Sequence, residues 1–183
     1  MNRKKNKNKF NIPDRSLVIL VGMPYTGKTK LAKKIVNKNA IIVSTSDIRQ
    51  STYAGKNNFK EKEEIVFNYF FDKIENGLKN KKMVIADSTS ISPEKRKRLY
   101  LLASRYKRPI RIIVMNIPLE TILKINEEKN DYDKHVLIRI YEKLEREYKN
   151  ISEEVKMLKH YNKDVKICDI IDVKKEEKDE IEL

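Results

Sequence analysis

The 183-residue chain is poor in the residues that build disulfide frameworks and metal centres. It has one cysteine, Cys168, and two histidines, and it contains no tryptophan. A single cysteine cannot form an internal disulfide, and no spacing of His and Cys typical of a zinc site is present. These absences exclude a disulfide-stapled fold and predict a reducing, cytoplasmic setting.

Long apolar runs are also missing from the sequence. No segment contains the roughly 18 consecutive apolar residues that a membrane-spanning helix requires. The basic N-terminus is not followed by the apolar core of a signal peptide. The sequence therefore predicts a protein without a membrane partner.

Positive charge is what the chain has in excess, with a formal net charge of +14. A surplus of Lys and Arg favours anionic partners such as phosphates, nucleic acid or acidic membrane surfaces, and it does not choose among them. Residues 1–13 are predicted to form a solvated basic tail, with an arm that grips nucleic acid as the alternative. Residues 14–173 are predicted to form one domain, followed by a charged tail at 174–183.

Short apolar, β-branched runs alternate with longer helical patterns between residues 16 and 172. This rhythm predicts an α/β fold, with a five-stranded, mostly parallel sheet that has helices on both faces. The predicted strands are 17–21, 40–44, 83–87, 110–115 and 165–171. The predicted helices are 28–38, a long element that includes 65–78, 95–106 with its start at 92–94, 119–129 and 135–158.

The long second helix carries an apolar stripe at helical spacing. The stripe is predicted to pack into the core, and a wall that faces a ligand is the alternative. Its members are Ile65, Val66, Tyr69, Phe70, Ile74 and Leu78.

Residues 22–29 read Gly-Met-Pro-Tyr-Thr-Gly-Lys-Thr and match the phosphate-binding pattern G-x-x-x-x-G-K-[ST], directly after a strand and at the start of a helix. The glycines let backbone N–H groups turn toward phosphates, and the helix N-terminus adds partial positive charge. Lys28 is predicted to reach the β and γ phosphates of ATP, and the Thr29 hydroxyl to ligate Mg²⁺. The predicted nucleotide-binding residues are Gly22, Pro24, Tyr25, Thr26, Gly27, Lys28, Thr29 and Lys30.

Asp87 ends the third predicted strand. A carboxylate at the carboxyl end of a central strand faces the crevice where ligands bind in open α/β sheets. Asp87 is therefore predicted to orient Mg²⁺ or its water shell. The alternative is a turn former for the serines and threonine that follow it.

Asp47 and Arg49 follow the second strand and are expected to face the same crevice from the acceptor side. A carboxylate can hold and deprotonate an attacking hydroxyl, and an arginine can grip a phosphate with two hydrogen bonds. Alternatively, Asp47 caps the next helix and Arg49 is exposed on its first turn.

Three segments together resemble the phage-type polynucleotide 5′-hydroxyl kinases and the wider P-loop kinase family, which includes RNA-repair, small tRNA-directed and zeta-toxin-like kinases. They are the P-loop at 22–29, Ser-Asp-Ile-Arg-Gln-Ser at 46–51, and Ile-Ala-Asp-Ser-Thr-Ser-Ile-Ser-Pro-Glu-Lys-Arg at 85–96. With the order of elements, the resemblance covers about residues 16–172. It implies a P-loop kinase domain with a helical lid that transfers the γ-phosphoryl group of ATP, with Mg²⁺, to a 5′-hydroxyl of RNA or DNA.

Two positions depart from that family's pattern. The family's acceptor motif reads Asp-x-x-Arg with the Asp as general base, but aligned on Arg49 that place holds Ser46, and the acidic residue is Asp47. Either Asp47 has taken the role, or the base is missing. The family's lid helix resembles Arg-Asn-x-x-Arg, whose last arginine stabilises the transferring phosphates; here Lys129 holds that place and supplies charge without a bidentate fork. A solvated surface lysine is the alternative.

Basic residues near the fourth strand could steer a polynucleotide toward the acceptor side, and a solvated face is the alternative. They are Lys95, Arg96, Lys97, Arg98, Arg105, Lys107, Arg108 and Arg111.

Two other functions fit the same motifs. The acceptor could be a small molecule, a nucleotide sugar or a tRNA-linked group, because the motifs specify phosphoryl transfer better than its acceptor. The chain could also be a nucleotide-binding module with weak or no catalysis, as Ser46 and Lys129 permit. The sequence predicts no oligomeric state.

Overall fold

The computed structural model describes residues 11–52, 59–162 and 164–172. The predicted C-terminal tail and most of the predicted N-terminal tail lie outside these residues. The strands are β1 Leu17–Gly22, β2 Ala40–Ser44, β3 Met83–Asp87, β4 Ile110–Asn116 and β5 Val165–Asp172. The helices are α1 Lys28–Ile35, α2 Thr45–Thr52, α3 Phe59–Lys79, α4 Pro93–Arg105, α5 Leu119–Lys129 and α6 Lys134–Tyr161.

All neighbouring strands are parallel, in the order β2-β3-β1-β4-β5. This confirms the parallel α/β class and the position of every predicted strand to within a residue. Side chains are described throughout β1 to β4, which form the body of the sheet, whereas in β5 at the edge only the side chain of Val165 is described. Every residue of β1 and β3 is buried, as strands covered on both faces must be.

Apolar side chains of β1 alternate between two cores because successive residues of a strand point to opposite faces. Leu17 and Ile19 belong to the larger core, beneath α3, α4, α5 and α6. Val18 and Leu20 belong to the smaller core, to which α1 contributes Ala32. Helices therefore cover both faces of the sheet, as the sequence predicted.

The stripe on α3 is buried at its four-residue repeat, which consists of Val66, Phe70, Ile74 and Leu78. The prediction is wrong for Tyr69, which is 54% exposed because it lies on the flank of this ridge. Near its C-terminus α3 approaches the sheet so closely that a Cβ on Gly77 would lie 2.5 Å from Ile41 Cδ1. Only glycine leaves room for this contact.

Helix boundaries differ from the predictions at several places, and α6 for example runs to Tyr161, three residues beyond the predicted end. Helix α1 ends at Ile35, three residues early, because Val36 is extended while its N–H still bonds to Ala32. Helix α2 was expected only as an alternative, yet the chain is helical from Thr45. Asp47 and Arg49 therefore lie within a helix, not in a loop.

Two of the basic residues predicted to steer nucleic acid are buried instead. Arg96 is 0% exposed, and its Nη2 lies 2.7 Å from Glu154 and 3.0 Å from Glu147, both on α6. Arg111 is 2% exposed and contacts Asp164 at 3.0 Å. These arginines join elements of the fold because a buried guanidinium needs its charge and donors matched.

No helix within the described parts of the chain is long and apolar enough to cross a membrane.

Candidate active site

The P-loop connects β1 to α1 and needs glycine at two positions for different reasons. A Cβ on Gly22 would lie 2.8 Å from the Met115 carbonyl oxygen and 2.9 Å from Thr26 Oγ1, so the close approach excludes a side chain. Gly27 has φ of 80°, in the left-handed region that glycine adopts without cost, and it precedes the first residue of α1. Pro24 lies between them, half-buried, and Lys30 is exposed on α1.

Lys28 is buried beneath the loop. Its Nζ donates to the Met23 carbonyl oxygen and lies 3.4 Å from Thr26 Oγ1, and Thr26 Oγ1 itself donates to Met23 at 2.8 Å. Burial lowers the pKa of the Lys28 ammonium to about 8, and the Asp87 carboxylate opposes that shift. A buried cation held by neutral oxygens is suited to an anionic ligand such as a phosphate.

Thr29 and Asp87 meet beside this lysine. Thr29 Oγ1 donates to Asp87 Oδ2 at 2.6 Å, although 58 residues separate them in sequence. Hydroxyl and carboxylate oxygens are the ligands that Mg²⁺ prefers. In the described ranges no three His, Cys, Asp or Glu side chains cluster to hold a metal, so a Mg²⁺ ion here would need phosphate oxygens and water to complete its shell.

Asp47 lies exposed in the first turn of α2. Its backbone N–H donates to Ser44 Oγ at 3.3 Å, so Ser44 supplies the capping oxygen of this helix. The alternative role of Asp47 as the cap is therefore wrong. Its role as a base stays a prediction.

Arg49 contacts a residue that the sequence did not point to. Its Nε and Nη2 donate to the two carboxylate oxygens of Glu63 on α3, at 2.7 and 3.0 Å. Lys95 lies close by, with its Nζ 3.1 Å from the centroid of the Phe67 ring, and burial lowers its pKa. The edge of Arg49 predicted to grip an acceptor phosphate is thus occupied by a carboxylate. No pattern of neighbouring residues in the sequence predicts that Glu63 contacts Arg49.

Beyond Asp47, a cavity of about 380 Å³ lies between α2 and α3. The exposed Tyr69 lines it together with Lys73 and with residues of α2. None of the predicted site residues takes part in it. The alternative given for the stripe, a wall that faces a ligand, stays a prediction for Tyr69.

Helix α5, which carries the predicted lid motif, and the turn that follows it lie beside the P-loop. Lys129 Nζ lies 5.6 Å from the centroid of the Tyr25 ring, which places the predicted lid lysine beside the P-loop. The Tyr25 hydroxyl is 3.0 Å from both Asn126 Oδ1 and Asp131 Oδ2. Asn126 holds the Asn position of the family's lid motif Arg-Asn-x-x-Arg. The sequence did not predict its contact with Tyr25 of the P-loop.

The structure therefore brings together, at the carboxyl edge of the sheet, the P-loop residues and Asp87, with Lys129 above Tyr25. Asp47 follows the end of the neighbouring strand β2, where Ser44 pairs in register with Asp87. Arg49 points to Glu63. The catalytic roles of these residues stay predictions.

The sequence is similar to that of a known kinase. The chain is 32% identical over 136 residues to the L-seryl-tRNA(Sec) kinase of Methanococcus maripaludis, a match of 70% of this chain and 52% of that protein. The chain thus spans about half the length of that relative.

Two solved structures show the same fold. The structure of the Pnkp1/Rnl/Hen1 RNA repair complex is similar over 76% of this chain and 46% of that chain, with a TM-score of 0.65 and 22% identity. Chaetomium thermophilum Kti12, in complex with ADP-AlF3, is similar over 70% of this chain and 79% of its own, with a TM-score of 0.55 and 19% identity.

The family model described as AAA domain, AAA_33, matches residues 17–149. This range holds the P-loop, α2 and α5. The family uses nucleotides, and its kinase members are phosphotransferases, which supports a kinase-type activity without defining an acceptor. The chain belongs to the AAA domain family AAA_33 and is a P-loop kinase domain.

Proposed function

We propose that the protein transfers the γ-phosphoryl group of Mg²⁺-bound ATP to a hydroxyl carried by a nucleic acid, with the 5′-hydroxyl end of RNA or DNA as acceptor. The observation that carries this proposal is the place of Asp87. It pairs in register with Leu20 of β1 and with Ser44 of β2, and it accepts the hydroxyl proton of Thr29. Donor loop and acceptor helix therefore flank one buried carboxylate.

On the donor side, the chain supplies charge and hydrogen-bond donors for phosphate oxygens. The Lys28 ammonium gains most from a phosphate because it is desolvated without one. Thr29 Oγ1 donates its proton to Asp87, so the lone pairs of Oγ1 would remain available to hold Mg²⁺. When bound, Mg²⁺ supplies positive charge that offsets the charge on the phosphate oxygens.

On the acceptor side, Asp47 is the carboxylate proposed to hold the attacking hydroxyl and take its proton. Its exposure suits an acceptor that arrives from solvent. Lys129 is proposed to approach the transferring group from the lid, where its contact with Tyr25 already places it near the P-loop. The net charge of +14 favours a polyanionic acceptor over a neutral small molecule.

A second acceptor is favoured by one observation. The relative that is 32% identical over 136 residues is an L-seryl-tRNA(Sec) kinase, whose name specifies an amino acid linked to RNA. Such an acceptor would use the same donor site and the same carboxylate. The two acceptors share an RNA chain and differ in the hydroxyl that is presented to Asp47.

The test is transfer of labelled γ-phosphate from ATP and Mg²⁺ to three acceptors in parallel: 5′-hydroxyl RNA, 5′-hydroxyl DNA and seryl-tRNA. Lys28→Ala and Asp47→Asn are expected to abolish or strongly reduce labelling, with a loss of about 10²-fold to 10⁴-fold for the base. Asp72→Asn, a change of an exposed carboxylate on α3, is the matched control and should leave labelling unchanged.

The pattern of label decides between the candidates. Label on oligonucleotides that is lost in both variants supports the first proposal. Label confined to seryl-tRNA supports the second acceptor. If ATP binds and none of the three acceptors is labelled, both acceptors are wrong and a nucleotide-binding module without efficient transfer is the better description.

A further inference from the structure

The P-loop carries a bulky residue in an unusual backbone conformation. Tyr25 has φ of 65°, in the left-handed region that residues other than glycine and asparagine seldom adopt. Such a conformation persists only where the surroundings hold it. The contacts that hold Tyr25 come from the lid, about 100 residues later in the chain.

The first of these contacts is polar. The Tyr25 hydroxyl lies 3.0 Å from both Asn126 Oδ1 and Asp131 Oδ2, and its single proton serves one acceptor at a time. Asn126 is buried, and its amide is fixed because Nδ2 donates to the Tyr132 carbonyl at 2.8 Å and Oδ1 accepts from the Tyr132 N–H at 3.1 Å. The hydroxyl thus joins the P-loop to a preorganised turn.

The second contact is made by the ring. Tyr132 packs edge-on against Tyr25, with centroids 5.6 Å apart and planes at 87°. Lys129 Nζ lies 5.6 Å from the same ring centroid, within the range of a cation–π contact. The Tyr25 ring therefore contacts both the last residue of α5 and the turn that follows it.

That turn is short and defined at both ends. Asn130 closes α5 in the left-handed conformation, with φ of 52°, and Asp133 caps α6 by accepting from the His135 N–H at 2.7 Å. Because the turn is tight, a hydroxyl bond at Asp131 and Asn126 constrains the direction in which Lys129 leaves α5. A lysine needs such guidance more than an arginine does, since its ammonium is a point charge on a flexible stem.

We propose that Tyr25 is a positioning residue whose hydroxyl latches the α5–α6 turn onto the P-loop and whose ring directs the Lys129 ammonium toward the transferring phosphoryl group. The proposal rests on the proposed phosphotransferase function. Burial and the Asp131 carboxylate raise the pKa of Tyr25 to about 12, so the hydroxyl keeps its proton throughout the pH range of ordinary assays.

Tyr25→Phe is the test because it removes the hydroxyl and keeps the ring. Asn126 Oδ1 retains the Tyr132 N–H, and Asp131 is exposed and regains water, so the variant should fold. Tyr106→Phe is the matched control, since the Tyr106 hydroxyl donates to Glu75 at 2.9 Å, between α3 and the end of α4. Thermal unfolding of both variants confirms that they are folded.

The first readout is the position of the turn. The chain has no tryptophan, so Tyr132→Trp introduces a sole indole at a 42% exposed residue, where it keeps an aromatic ring beside Tyr25 and the backbone bonds to Asn126. We expect acrylamide to quench the fluorescence of this introduced indole about twofold more strongly when Tyr25→Phe is added, because the freed turn leaves the P-loop. Tyr106→Phe should not change the quenching constant.

The second readout is kinetic. We expect Tyr25→Phe to lower kcat about tenfold and to change the KM for ATP by less than about threefold, because misplacing a transition-state charge costs rate more than ground-state binding. The substrate is 5′-hydroxyl RNA, or water in an ATP hydrolysis assay if the wild type labels no acceptor. Failure of the acceptor assignment is thereby separated from failure of the latch.

An unchanged quenching constant overturns the proposal, as does stronger quenching with kcat unchanged. A fall in kcat that Tyr106→Phe reproduces also overturns it, since it would reflect a general loss of stability.

Discussion

Thr29, in the first turn of α1, donates its hydroxyl proton to the carboxylate of Asp87 at the end of β3, with 2.6 Å between Oγ1 and Oδ2. The bond holds side by side two oxygen atoms that are proposed to bind Mg²⁺ at one end of the P-loop. It also means that a change at either residue misplaces the other.

Asp87→Asn is accordingly expected to weaken use of the metal. An amide keeps the size of the side chain but lowers its negative charge, and loss of such a partner typically costs about 10-fold to 100-fold in metal affinity. The Mg²⁺ concentration that gives half-maximal ATP turnover should rise by that factor, with Asp72→Asn unchanged. An Asp87→Asn protein with the Mg²⁺ dependence of the wild type would remove Asp87 from the site.

ATP affinity is expected to fall as the pH rises above about 8. The pKa of Lys28 is lowered by burial to about 8 in the free protein, whereas bound phosphates favour the charged ammonium. Between about pH 7 and pH 9 the affinity should drop up to about tenfold, and binding near pH 9 should take up a proton. Titration calorimetry in buffers of different ionisation enthalpy measures both quantities.

The stability of the free protein should respond to Lys28 in the opposite direction. The folded protein releases this proton near pH 8 and the unfolded chain near the ordinary value of 10.5. The cost of burying the charge is therefore present in full below about pH 8 and diminishes as the pH rises toward 10.5.

Lys28→Arg, which keeps its charge throughout, should remove the pH dependence of ATP affinity. A pH dependence of ATP affinity that survives in this variant must have another origin.

Glu63→Gln is expected to strengthen binding of an anionic acceptor. Glu63 neutralises Arg49 through two hydrogen bonds, and both side chains are partly exposed. Releasing the guanidinium from a partly exposed ion pair should lower the KM for 5′-hydroxyl RNA about threefold to fivefold. Glu75→Gln, which breaks the comparable pair with Arg105, is the control. If Glu63→Gln raises this KM instead, Glu63 orients Arg49 for the acceptor and does not mask it.

Arg96→Met is expected to destabilise the fold by about 2–4 kcal/mol without altering the KM for ATP. The fully buried guanidinium joins α4 to Glu147 and Glu154 of α6, and removal of one member of a buried ion pair is costly. The estimate lies toward the low end because both carboxylates reach water. Urea denaturation measures the difference, and Arg105→Met, at a 66% exposed side chain, should cost less than about 1 kcal/mol. Equal losses in the two variants would contradict the structural role of Arg96.

The packing of whole helices accounts for the two burial predictions that were wrong. Arg96 and Tyr69 are a charged and an aromatic residue in helical patterns, and the usual expectation is that the first is exposed and the second buried. The fold reverses both, because α6 brings two carboxylates over Arg96 while Tyr69 lies beside the ridge that α3 presents to the sheet. Neither outcome can be read from neighbouring residues.

The strands, the parallel α/β class and the phosphate loop could be predicted from the amino-acid sequence, because these features depend on residues that are close together in the chain. A strand buried on both faces must be a continuous apolar run, and a loop around phosphates needs its glycines and lysine at fixed spacing. Packing in three dimensions set which polar groups meet: Arg49 with Glu63, Arg96 with Glu154, and Tyr25 with Asp131. These pairings are set by how whole helices pack on the sheet, and packing depends on the complete set of buried surfaces.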